Sequence, residues 1–176
     1  MLSKMKTVTR YQTVLALALA ILSTSGSAFG DAPKPNFSGT WELDAKKSEG
    51  VPPEMGQVMT VRQQGDRMEV EVKTTTNQGD RTSTDNYVMS GEETEFTPAL
   101  IGGGGTAKGK RVATWSADGN GFDSTEQATV KSDEGTDDIK GKRTWRISAD
   151  GKTLTVDIDL AGAKGPIKSK RVFNKK

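Results

Sequence analysis

Turn residues punctuate this chain at short, regular intervals: Gly65-Asp66, Asn77 to Asp80, Gly91-Glu92, Asp118-Gly-Asn-Gly121, Asp133-Glu-Gly135, Asp150-Gly151 and Ala161 to Gly165. Gly and Asx residues supply the positive φ that tight hairpins require. Between the turns run segments such as Met68-Glu-Val-Glu-Val72 and Leu154-Thr-Val-Asp-Ile-Asp-Leu160, apolar and polar by alternation. A period of two gives a strand one apolar and one polar face, and almost no stretch after Asn36 carries a helical period. The expected class is therefore all-β. A long series of hairpins leaves two exposed edges unless the sheet closes on itself. The expected architecture is thus a single-domain antiparallel up-and-down β-barrel of about eight to ten strands over residues 37–176.

The start of the chain has a different character. Lys4, Lys6 and Arg10 precede an apolar run from Val14 to Leu22, and small residues follow from Ser23 to Ala28. That order of basic, apolar and small residues is expected of a secretory signal peptide over residues 1–28, with cleavage after Ala28 or after Gly30. The apolar run is shorter than the ~20 residues that span a bilayer, so no stable membrane insertion is expected once the leader is removed. The expected location is periplasmic or secreted. Residues 29–36, with Pro33 and Pro35, are expected to form a flexible lead-in to the barrel.

Removal of the leader changes the charge balance. Three of the 25 Lys and Arg residues and none of the 23 Asp and Glu residues precede Ala28, which leaves 22 against 23. A near-neutral chain offers no electrostatic case for nucleic acid or an anionic membrane as partner. The sequence has no Cys and no His. Disulfides, thiolate nucleophiles, Ser-His pairs and imidazole or thiolate metal sites are thereby excluded. No carboxylate pair or polarised serine stands at a meaningful spacing, so neither an enzyme nor a cofactor is expected.

Asn36-Phe-Ser-Gly-Thr-Trp-Glu-Leu-Asp44 resembles the opening of lipocalins and intracellular fatty-acid-binding proteins, members of the calycin superfamily, where Phe-x-Gly-x-Trp begins the first strand. The resemblance implies that Trp41 plugs one barrel end. Lys170-Arg-Val-Phe-Asn-Lys175 is similar to the fatty-acid-binding-protein terminus, Arg-x-Tyr before charged residues. In that family the Arg and Tyr hold the ligand carboxylate. By position Arg171 takes the first role, while Phe173 lacks the hydroxyl for the second. The whole chain after the leader looks closer still to uncharacterised secreted bacterial proteins that open Phe-x-Gly-Thr-Trp-x-Leu. One departure stands out: fatty-acid-binding proteins place two helices after the first strand, and Ala45 to Met55 is too short for two and holds Pro52 and Pro53.

Three strands begin alike, with Lys108-Gly-Lys-Arg111, Lys140-Gly-Lys-Arg143 and Lys168-Ser-Lys-Arg171. In a meander these are alternate strands, so all three run the same way. Residues opposed across a hairpin point to the same face. Pairing Arg111 with Glu126, Glu126 with Arg143, Arg143 with Val156 and Val156 with Arg171 centres every turn on turn residues. It also joins Trp115 to Phe122, Trp145 to Leu154 and Leu154 to Phe173. The expected result is an inward row of Arg111, Glu126, Arg143, Val156 and Arg171, on the face that carries Trp115, Trp145 and Phe173, with the lysines pointing outward. Charges inside a barrel must be paired or hydrated.

Two readings of that row stay open. In one, Arg143 and Arg171 hold a ligand carboxylate while Glu126 pairs with Arg111, with Trp115, Trp145 and Phe173 around the ligand. In the other, the row is a Glu-bridged hydrated plug that fixes register and holds no ligand. The first makes the chain an exported binding protein for a small, partly apolar, probably anionic amphiphile. The second makes it a non-enzymatic structural or protein-interaction module of the cell envelope. Thr97-Pro-Ala-Leu-Ile-Gly-Gly-Gly-Gly105 is expected to be a flexible loop whose Leu100 and Ile101 cover a barrel end or meet a partner.

Overall fold

The computed structural model describes residues 34–98, 106–133, 135–163 and 165–176. The leader and the loop residues Leu100 and Ile101 lie outside the described residues. Ten strands follow one another: β1 (Gly39–Leu43), β2 (Gly56–Gln64), β3 (Arg67–Thr76), β4 (Gly79–Val88), β5 (Ser90–Phe96), β6 (Thr106–Trp115), β7 (Gly121–Ser132), β8 (Gly135–Ile147), β9 (Thr153–Gly162) and β10 (Gly165–Lys175). They form one antiparallel sheet in the order β4-β3-β2-β1-β10-β9-β8-β7-β6-β5. This is the up-and-down meander, with β1 and β10 paired through Trp41↔Lys175 and Leu43↔Phe173. No helix occurs among the described residues, and the connection after β1 is made of turns. The sheet's two ends, β4 and β5, are consecutive in sequence but share no ladder, so the barrel is nearly closed.

The turns explain the strand lengths. At Gly65-Asp66 the glycine takes φ 58°, and among the described residues no non-glycine residue has positive φ, the pattern of a type II′ hairpin. Ser116-Ala-Asp-Gly119 and Ser148-Ala-Asp-Gly151 build one turn twice. In each, the serine hydroxyl donates to the aspartate. The residue after the glycine donates its N–H to the same carboxylate, at 3.1 Å from Asn120 and 3.0 Å from Lys152.

The register is as expected in two hairpins and differs in two. Arg111 opposes Glu126 and Trp115 opposes Phe122. Val156 opposes Arg171 and Leu154 opposes Phe173. Between β7 and β8, however, Glu126 faces Gly141 and Arg143 faces Ser124. Between β8 and β9, Arg143 faces Ile158 and Trp145 faces Val156. Each slip is two residues, so every side chain keeps its expected face. The physical reason lies in the turns: β7 and β8 close from Ser132 to Gly135, and the second Ser-Ala-Asp-Gly turn spans Ile147 to Leu154 as the first spans Trp115 to Phe122. The straight row thus becomes a staircase from Arg111 through Arg143 to Arg171. Barrel strands tilt against the axis, so a diagonal step across strands keeps side chains at a similar height.

The two ends of the barrel are built differently. At one end Phe37, Trp41, Phe122, Tyr87 and Trp145 are buried together. The Phe122 and Trp145 rings stack at 5.4 Å, and Phe37 meets Phe122 edge-on at 5.6 Å. Gln63 positions Phe37 there, accepting its N–H at 2.9 Å and donating to the Pro35 carbonyl at 3.1 Å. Trp41 adds a bond from its indole N–H to the Phe37 carbonyl at 2.8 Å. At the other end, inward positions such as Ser83 and Ile139 are only half-buried, and Ile167 is 44% exposed. Aromatic side chains close one end, whereas the described inward residues of the other end are less buried.

Candidate functional site

A belt of charge crosses the middle of the interior. Arg111, on β6, is 1% exposed. Its guanidinium grips Asp85 of β4 with two bonds, 2.6 Å to Oδ1 and 3.2 Å to Oδ2. It also donates to the Asn86 carbonyl at 2.9 Å and lies 3.2 Å from Glu126 Oε1. The rings of Phe96 and Tyr87 sandwich it, with centroids 3.8 Å and 4.1 Å away. Gly109 makes the Phe96 contact possible, because a Cβ there would come within 2.5 Å of that ring. The ion pair spans the gap where β4 and β5 share no backbone bonds. Side chains thus latch the seam of the barrel.

Glu126 serves two arginines. Its second oxygen accepts from Arg143 Nε at 3.0 Å, and Ser124 donates to its first at 3.2 Å. With Gly141 opposite, no side chain competes for that space. Burial opposes the charge on Arg143, but Tyr87 first, and then the carboxylates of Glu126 and Asp85, outweigh it and hold its pKa above the ordinary arginine value. For Arg111 burial likewise acts downward, and Tyr87, Asp85 and Glu126 together leave the pKa raised.

Arg171 has no such partner. Its guanidinium donates to the neutral amide oxygen of Gln57 at 3.2 Å, and among the described residues it makes no ion pair. Its Nε is buried without a hydrogen-bond acceptor, as is the Ser169 hydroxyl two residues earlier on the same face. Burial, followed by the like charge of Arg143, holds its pKa below the ordinary value. Arg143 and Arg171, with Gln57 and Asp85, form the polar side of a cavity of about 50 Å³. Val70, Val156, Ile158, Trp145 and Phe173 contribute to its apolar side. That volume admits a few waters or a headgroup.

No family model and no curated protein matches the sequence. Among solved structures, human cRBP IV is 16% identical, over 81% of this chain and 99% of its own, with a TM-score of 0.48. Zebrafish ileal bile acid-binding protein complexed with cholic acid is 18% identical, over 80% and 98%, with a TM-score of 0.47. A secretory abundant heat soluble protein from Ramazzottius varieornatus is 16% identical, over 79% and 94%, with a TM-score of 0.43. At this degree of likeness no residue's role passes from those proteins to this chain.

Of the residues singled out by sequence, Arg143, Arg171, Trp145 and Phe173 meet at the cavity. Arg111 and Glu126 lie in the latch, with Glu126 shared rather than confined to Arg111. Trp115 does not line the cavity. It sits toward the closed end, where its indole N–H donates to Asp66 Oδ1 at 2.8 Å under the Lys34 ammonium. Asp85, Gln57 and Ser169 were not anticipated. Alternation would have found Asp85, since Val70 opposes it and shares the inward face of Met68 and Val72. Alternation likewise places Gln57 inward, on the face of Met59 and Val61, but gives no sign that it reaches Arg171 past the end of short β1.

Proposed function

We propose that this chain is an exported, non-catalytic protein that holds one small, partly apolar anion, with its charged end on Arg171 and Arg143. The observation that carries this reading is the state of Arg171: a half-buried guanidinium facing an amide, with its buried Nε and the neighbouring Ser169 hydroxyl unmatched. A cation taken from water calls for a counter-charge. The cavity is the size of a carboxylate headgroup and has apolar residues on its other side. A second reading, a hydrated plug in a structural or interaction module, is favoured by the latch, where Asp85, Arg111, Glu126 and Arg143 pair their charges with one another, although Arg111 Nε, like Arg171 Nε, has no acceptor. Native mass spectrometry of protein purified from its host, with a titration of carboxylates followed by Trp145 emission, separates the two. A bound anion and a saturable emission change support the first. A ligand-free protein whose emission ignores every carboxylate contradicts it.

A further inference from the structure

The wall of the barrel has a gap beside Arg171. β1 stops early, its last partner on β2 being Val58 opposite Glu42. Gly56 and Gln57 pair with Thr75 and Thr74 of β3 but with no residue of β1. The chain after β1 stays with β10, returning as an isolated bridge between Glu49 and Lys170. Gln57 closes the gap by its side chain alone. Its amide donates to Thr74 Oγ1 at 3.0 Å and accepts from Arg171 at 3.2 Å. On the far side lies a surface groove of about 280 Å³ between Glu42, Leu43, Gly56, Val58, Lys73 and Thr75, and Gln57 lines both this groove and the inner cavity.

We infer that the groove is the outer half of the binding site: a linear carboxylate places its head on Arg171, and its chain passes Gln57 between β1 and β2 to lie against Leu43 and Val58. This rests on the anion site proposed above. The inner cavity has room for a head but not for a chain, and the groove supplies the missing volume. The rim charges are already matched, Lys73 with Asp80 at 2.9 Å and Glu42 with Lys176 at 3.3 Å, so the groove asks for an uncharged chain. An incoming carboxylate replaces the amide oxygen on Arg171, which frees Gln57 to swing out of the gap.

Calorimetric titration of straight-chain carboxylates, from acetate to decanoate, tests this on the full chain. Each methylene that enters the groove is expected to tighten binding about fourfold. Gly56→Leu and Val58→Phe fill the groove from its outer face, and a Cβ at Gly56 meets only Thr75, at an ordinary 3.7 Å. Both variants are expected to flatten the chain-length series while leaving acetate binding unchanged. A decanoate carrying a terminal nitroxide, bound to the parent, is expected to broaden the amide signals of Gly56, Val58 and Thr75. If both variants keep the full series, Ile167→Trp flattens it and the nitroxide broadens Ile139 and Ile167, the chain lies in the lumen. The inference is then wrong while the anion site stands. If no carboxylate binds the parent, the anion site itself is wrong and the groove falls with it.

Discussion

The latch and the Arg171 corner are built from the same inward arginines of one repeated motif, yet they are completed in opposite ways. Arg111 and Arg143 each have a carboxylate within 3.2 Å, and Arg111 has two. Arg171 has an amide. A buried charge with its counter-ion is a structural element, and removing one partner strands the other. A half-buried cation with a neutral partner has coordination to spare. The difference separates the part of the belt that holds the barrel shut from the part available to a ligand.

The largest effect is expected in the latch. Arg111→Met leaves Asp85 and Glu126 facing each other inside the barrel and should lower stability by ~3–5 kcal/mol in urea denaturation. An equal loss from Arg171→Met would erase the distinction between the two regions. A smaller effect of opposite sign is expected from Gln57→Glu, which gives Arg171 the carboxylate it lacks. Stability should rise by up to ~1.5 kcal/mol, since a charge-assisted bond replaces a neutral one and carboxylate desolvation takes back part of the gain. Anion binding should disappear, because the site then carries its own counter-ion. A variant that is more stable yet still binds carboxylates would place the ligand elsewhere.

Tyr87 sharpens the comparison from the latch side by a smaller margin. Burial and then the charge of Asp85 push its hydroxyl well above the ordinary tyrosine range. The folded state therefore binds this proton more tightly than the unfolded chain does. Its contribution is complete below the ordinary tyrosine value of 10.0 and is lost as pH rises from there toward the folded-state value. Tyr87→Phe should accordingly show a shallower alkaline fall in urea midpoint than the parent. Identical slopes would mean that Tyr87 is not held as a buried proton donor beside Asp85.

Most of the fold was legible in the sequence because strand alternation and turn chemistry are local. Gly65-Asp66 and the Ser-Ala-Asp-Gly turns specify hairpins by themselves, and a two-residue slip at β8 left Arg143 inward because a strand's faces repeat every two residues. The repeated turn also held the information that fixes that register, since aligning Ser148 with Ser116 sets Ile147 opposite Leu154. The site was legible only in half. Arg143 and Arg171 announce themselves by the motif they share. Asp85 reaches Arg111 across a seam with no ladder, and Gln57 reaches Arg171 across a missing stretch of β1. Such contacts depend on how the sheet closes, and no local pattern encodes that.

The most direct test of the account is a paired measurement on Arg171→Gln, recording urea stability and octanoate affinity on the same preparation alongside the parent. An arginine that waits for a ligand contributes little to the empty fold. Stability is therefore expected to stay within about 1 kcal/mol, while loss of a charge-assisted bond of ~1.5–3 kcal/mol weakens binding roughly tenfold to a hundredfold or somewhat more. A stability loss as large as that of Arg111→Met, with octanoate affinity unchanged or absent in both proteins, would show that Arg171 belongs to the plug and contradict the account.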